Sequence, residues 1–196
     1  MLPRDQPFRI TIRCLLILLQ LLVSLPVLAV DRPLPVITIC YNYNCNRTAH
    51  VRPATGEWLA VLNQFKPAAR SAVEERDMIR RAIAILEHIA GMQTPTFRDR
   101  GRNPIVDDWP GQMDCIDEST NTARYLDLLQ ERGLLNWHRA VGRVYRTPHL
   151  VDPHWAGQII ELETLDHYVV DSWFLDNGEL PYIQAISAWK RKDPIQ

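Results

Sequence analysis

Two helical stripes come early in this chain and three strand-like segments come late, and that order decides the class of fold it can adopt. From Arg70 to Ala90, Val73, Ile79, Ala82, Ile83, Leu86 and Ile89 recur at helical spacing, and Gly91 supplies a stop. From Asp114 to Glu131, Ile116, Ala123, Leu126 and Leu129 form a second stripe, which Gly133 ends. Residues 141–146, 154–163 and 167–174 then alternate or are rich in β-branched and aromatic side chains. Helices followed by strands, rather than alternating with them, predict an α+β domain with helices packed on an antiparallel sheet. The smaller features fit around this frame. Residues 30–54 read as an extended leader with one strand at Val36-Ile37-Thr38-Ile39, and Gly56 to Phe65 as a short helix. Gln93 to Gly111 reads as loop, and Asn177-Gly178 as a turn.

The folded domain is expected to start well after Met1. Arg4, Arg9 and Arg13 precede an apolar run from Cys14 to Leu25, broken by Pro26 and followed by Val27-Leu28-Ala29. A basic start, an apolar stretch and small residues before a cleavage point are the parts of a secretory signal peptide. The reading is a signal peptide over residues 1–29, cleaved after Ala29, with an uncleaved membrane anchor as the alternative. Residues 30–196 then form a single domain with no second apolar span. The 22 Lys and Arg against 23 Asp and Glu exclude a polybasic nucleic-acid surface as the main feature, and the short Lys190-Arg191-Lys192 tail does not change that. The predicted location is periplasmic or secreted.

Export sharpens the cysteine count. Of four cysteines, Cys14 leaves with the signal, so Cys40, Cys45 and Cys115 meet an oxidising compartment. Cys40 and Cys45 bracket Tyr-Asn-Tyr-Asn, a polar segment able to turn, and their pairing is the economical choice. It leaves Cys115 alone.

Cys115 sits where a thiol would be activated. Asp114 is a plausible helix N-cap, which puts Cys115 in the first turn, among unpaired amides and the positive end of the helix dipole. Such a position favours the thiolate, which is the nucleophile. Asp117 and Glu118 oppose that charge, so a basic partner is needed. Six histidines are available: His50, His88, His138, His149, His154 and His167. His154 opens the run His-Trp-Ala-Gly-Gln-Ile-Ile-Glu, and Asp171 lies on the next predicted strand in Tyr-Val-Val-Asp-Ser-Trp-Phe. Asp171 is flanked by apolar residues, and a half-buried carboxylate needs a partner. Thiol, imidazole and carboxylate would then be nucleophile, base and orienting group. His138 is the rival base, and His167 reads as a surface strand residue.

A Cys at a helix start, then His-Trp-Ala opening a strand, then Val-Val-Asp-Ser-Trp on the next, resembles the transglutaminase-like cysteine peptidase superfamily, and more distantly papain-like peptidases. The resemblance covers about residues 105–175 and is closest to compact bacterial secreted or periplasmic members. It implies a transglutaminase-like core, with Cys115 as nucleophile, His154 as general base and acid, and Asp171 as orienting group. Relatives often carry Gly or an aromatic residue before the nucleophile segment, where this chain has Gln112 and Met113. A two-residue loop at Thr164-Leu165 would leave His154 and Asp171 on one face but offset by four residues, ~13 Å along the strand. The triad therefore requires a shifted register or a bulge.

The reaction so implied is acyl transfer, with hydrolysis of a peptide or amide bond first among the possibilities. The substrate would be a peptide or amide, a protein or cell-wall peptide among the candidates, and no metal or organic cofactor is implied. The Cys115 amide is a natural oxyanion donor, and the Gln112 side chain could add a second, or be a solvated loop amide. Other readings stand beside this one. Cys115 could be a structural thiol. His149, Asp152 and His154 could form a zinc site. The whole chain could be a non-catalytic periplasmic binding or assembly module on the same fold. Trp109, Trp155 and Trp173 could wall the cleft or simply fill the core. Arg98 to Asn103 reads as a solvated loop, and Glu74-Glu75-Arg76-Asp77 with Arg80-Arg81 as helix-surface charge.

Overall fold

The computed structural model describes residues 32–102, 110–147 and 153–192. The expected signal peptide, Trp109, His149 and Asp152 lie outside the described residues. The chain divides into two units, Met1–Pro33 and Leu34–Gln196, and every element below belongs to the second. In chain order these are β1 (Ile37–Tyr41), β2 (Arg47–Val51), α1 (Thr55–Asn63), α2 (Ala72–Gln93), a 3-10 turn at Pro95–Arg98, and α3 (Cys115–Glu131). Then come β3 (His138–Arg146), β4 (His154–Glu161), β5 (His167–Asp171), β6 (Tyr182–Ala185) and α4 (Ile186–Arg191). Strands β3 to β6 form an antiparallel meander in sequence order, and β1 and β2 form a separate antiparallel hairpin. The α+β class with helices on an antiparallel sheet is what the chain adopts.

The two predicted stripes face one core, except that Val73, at the start of the first, is exposed. Ile79, Ala82, Ile83 and Leu86 of α2 and Leu126 and Leu129 of α3 are buried with Ile159 of β4 and Val170 of β5. Helix α3 ends where the sequence says, with Gly133 at φ +71° just beyond its C-cap. Helix α2 does not stop at Gly91. A Cβ there would lie 2.8 Å from Asn177 Nδ2 and 3.2 Å from the Phe97 backbone, so Gly91 marks a close approach, and Thr94-Pro95 ends the helix. The leader is a hairpin rather than one strand, and the last predicted strand breaks at Asp171. Strand β6 and helix α4 carry no periodic signal long enough to read.

One expected surface charge is deeply buried. Glu75 has no exposure and accepts the backbone N–H groups of Asn136, Trp137 and His138 and a 2.9 Å contact from His138 Nδ1. It satisfies the amides entering β3, which no sheet partner reaches there. Among the described residues, no helix is long and apolar enough to cross a membrane.

Gly157 sets the spacing between α3 and the sheet, since a Cβ there would meet Thr122 Cγ2 at 2.7 Å. Gly157→Ala should therefore cost about 1–3 kcal/mol by overpacking. Adding Thr122→Ser, which removes that methyl and keeps the hydroxyl, should restore part of the loss. Urea unfolding of the three proteins tests this, and additive losses would contradict it.

Candidate functional site

The start of α3 is fixed by its own carboxylates. Asp114 Oδ1 accepts from the N–H groups of Ile116 and Asp117, and Asp117 reaches back to the Asp114 N–H at 3.4 Å, completing a capping box. The outer faces of the same carboxylates hold the β1–β2 turn. Asn44 N–H donates to Asp114 Oδ2 at 2.9 Å, and Cys45 N–H to Asp117 Oδ1 at 2.6 Å. Residues Asn42, Tyr43, Asn44 and Cys45 all have positive φ, between 52° and 65°. Four such residues in succession are costly for side chains other than glycine. The Cys40–Cys45 disulfide closes this turn, as the spacing led us to expect, and a disulfide fits an oxidising compartment. Cys115, first residue of α3, is the free cysteine among the described residues and is half-buried. Its N–H precedes the first amide with a helical carbonyl partner.

Strands β4 and β5 bring the imidazole and carboxylate together. Glu161 N–H donates to Asp166 O, so four residues, not two, lie in the hairpin loop. Gly157 therefore pairs with Val170, and the same register places Asp171 opposite Ala156. The offset between His154 and Asp171 is two residues on one face, within diagonal reach. His154 Nε2 contacts Asp171 Oδ2 at 2.8 Å. Cys115 is the other group close enough to the imidazole to raise it. With Nε2 held by Asp171, Nδ1 is the nitrogen left to face the sulfur. The structure thus brings Cys115, His154 and Asp171 together.

Both ends of the His154–Asp171 pair are buried, and aromatic rings enclose it. Trp173, Phe174 and Trp189 lie with ring centroids 4.9, 5.3 and 5.7 Å from the imidazole. Trp189 Nε1–H also donates to Asp171 Oδ2 at 2.9 Å, giving that oxygen two partners. Burial disfavours the imidazolium, but the hydrogen bonds to Asp171 and Cys115 and their charges outweigh it, raising His154 from 6.5 to about 9.

Other expectations resolve differently. Gln112, expected as an oxyanion donor, is buried. Its Nε2 donates to Arg98 O at 2.6 Å, and its Oε1 accepts from Arg100 N–H at 3.3 Å, so the amide is engaged in holding the loop. His138, the rival base, is bound to Glu75 and pairs with Glu161, at the far end of β4 and seven residues, ~23 Å, from His154. His167 is an exposed strand residue beside Gln158. Trp173 touches the site, whereas Trp155 stacks on Tyr145, their ring centroids 4.9 Å apart. Trp189 was missed, since a lone tryptophan in a six-residue helix carries no pattern.

A second group was missed as well. Asp99, from the supposedly solvated loop, is buried with Glu87 of α2 and Glu118 of α3. Asp99 Oδ1 accepts from Met113 N–H at 2.6 Å, and Glu87 accepts from Ser172 Oγ and Gly178 N–H. Burial raises Glu87 to about 7, against the hydrogen bonds of Ser172 and Gly178, with the Asp99 charge adding to the rise. Burial, with the charges of Glu87 and Asp99, holds Glu118 well above the carboxylate range. Burial and the Asp114 charge likewise raise Asp117 to about 6, against three backbone hydrogen bonds. A cavity of about 680 Å³ lies between His88, Met92, Phe97, Arg98 and Asn177, and none of the three linked residues lines it.

His154 should titrate with a midpoint near 9 when followed by NMR of its ring nitrogens. Asp171→Asn should bring that midpoint down by at least about one unit. The folded value lies above the ordinary 6.5, so the stability this group contributes is complete below pH ~6.5 and lost as pH rises through about 9. An unshifted midpoint in Asp171→Asn would refute the electrostatic account. No family model, curated protein or solved structure matches this chain, so its geometry carries the functional argument.

Proposed function

We propose that this chain is an exported, thiol-dependent acyl-transfer enzyme with a transglutaminase-like core, hydrolysing a peptide or amide bond through Cys115, His154 and Asp171. One observation carries the reading: a half-buried thiol at a helix start lies beside a buried imidazole whose Nε2 is held by a buried carboxylate. The arrangement of a Cys-bearing helix followed by an antiparallel meander, with His and Asp on neighbouring strands, supports the transglutaminase-like comparison. The disulfide supports export.

The chemistry follows from these positions. The Cys115 proton passes to His154 Nδ1, and an imidazolium within hydrogen-bond reach favours the anionic sulfur. Sulfur attacks the carbonyl carbon, and the Cys115 N–H receives the developing oxyanion. Collapse expels the amine, which takes its proton from His154, and leaves a thioester. His154 then takes a proton from water, hydroxide adds to the thioester, and Cys115 departs. Asp171 and Trp189 keep the ring oriented throughout. The acidic residues beside Cys115 oppose this less than their number suggests. Burial biases Glu118 toward its neutral form, and Asp117 is turned into the amides of the disulfide loop.

Alkylation of Cys115 by iodoacetamide between pH 5 and 9 is the direct test. The wild-type thiol should react at pH 6–7, and His154→Ala should slow it about 10- to 100-fold there. A thiol indifferent to His154 would end the catalytic reading and return the chain to a binding or assembly module.

A further inference from the structure

Along α3, beyond Cys115, two arginines form no ion pair among the described residues. Arg143 of β3 is exposed, and its Nη1 donates to Thr120 Oγ1 at 2.9 Å and lies 3.4 Å from Ser119 Oγ. Its guanidinium stands over the Trp155 ring at 4.9 Å, and Trp155 in turn stacks on Tyr145. A guanidinium gripped by a ring and two hydroxyls is fixed in direction, yet its charge is unanswered. Arg124, further along α3, donates to Thr38 O at 2.8 Å and contacts Cys40 Sγ at 3.2 Å. Neither arginine forms an ion pair among the described residues. They act on each other instead: burial first, and then the Arg143 charge, lower Arg124 below its ordinary value.

The acidic side chains at this end of α3 face elsewhere. Asp114 and Asp117 hold the disulfide loop, and Glu118 lies with Glu87 and Asp99. Ser119 is one helical turn, ~6 Å of rise, beyond Cys115. The surface at Ser119, one turn from the thiol, thus carries a pre-oriented guanidinium that stands over the Trp155 ring, with Arg124 adding a second positive charge further along the helix. That is the chemistry that recognises a carboxylate with an apolar stem.

We infer that Arg143, supported by Arg124 and the Trp155–Tyr145 pair, forms an anion subsite that selects carboxylate-bearing acyl substrates for Cys115. This rests on the reading of Cys115 as the nucleophile and names its substrate class. The carboxylate would bond the guanidinium, and its stem would lie along Trp155.

Iodoacetate and iodoacetamide test the subsite, because they differ only by carboxylate against carboxamide. In both, the sulfur of Cys115 displaces iodide from the methylene carbon, so an S–C bond forms as the C–I bond breaks. The ratio of the two rates, taken within each protein, isolates the effect of charge. Arg143→Gln should lower the iodoacetate-to-iodoacetamide ratio about fivefold, and Arg143→Lys should keep most of it. In the wild type the ratio should fall with added salt. Protection from iodoacetamide by N-acetylglutamic acid α-amide or by its isomer N-acetylglutamine separates a side-chain carboxylate from a terminal one. Protection by either, lost in Arg143→Gln, supports the subsite, and protection by neither overturns it. A reactive thiol whose ratio is the same in wild type and Arg143→Gln sinks the subsite alone. A thiol inert to both reagents sinks the nucleophile reading and the subsite with it.

Discussion

The carboxylates of Asp114 and Asp117 each work in two directions, inward to the first amides of α3 and outward to the amides of Asn44 and Cys45. A helix start normally leaves its N–H groups to water or to a single cap. Here the cap is shared with a left-handed turn that the chain would not otherwise keep. Each part holds the other. The turn's amides satisfy the outer oxygens, the disulfide closes the turn, and Asn121 of α3 bonds both the N–H and C=O of Cys40. Cys115 is the first residue inside this clamp, so its position is set by backbone and carboxylate together rather than by side-chain packing.

The imidazole is positioned by a different principle. Strand register brings His154 and Asp171 to diagonal positions, and the aromatic rings then remove water from the pair. A hydrogen bond between charged groups strengthens when water is excluded, while the charges themselves become harder to keep. The Trp189 N–H on Asp171 eases the second cost. The last helix of the chain thus matters to a site whose other members lie well before it. Rigid placement of this kind is what the proposed proton transfer would require.

Much of this was legible in the sequence. Periodicity placed α2 and α3, the order of elements gave the class, and Asp114 announced itself as a cap by residue type and place. Cys115, His154 and Asp171 were readable because each sits at an element boundary with chemistry that apolar neighbours do not explain. What could not be read depends on distant contacts. The four-residue loop that corrects the β4–β5 register leaves no signature in Leu162-Glu163-Thr164-Leu165. Glu75, Glu87 and Asp99 look like surface charge because sequence shows neither the amides nor the carboxyls that surround them. Gln112 was misread for the same reason, since its partners at Arg98 and Arg100 are fourteen and twelve residues away.

The Asp99–Glu87–Glu118 group ties together three parts of the chain: the loop before α3, α2 and α3 itself. Most globular proteins lose stability in acid, because their carboxylates are held in ionised form. This group is held the opposite way. The contribution of Glu87 is complete below the ordinary 4.5 and is lost as pH climbs through about 7. A hydrogen ion is in effect a structural part of the domain, one that the surrounding medium can lend or withdraw.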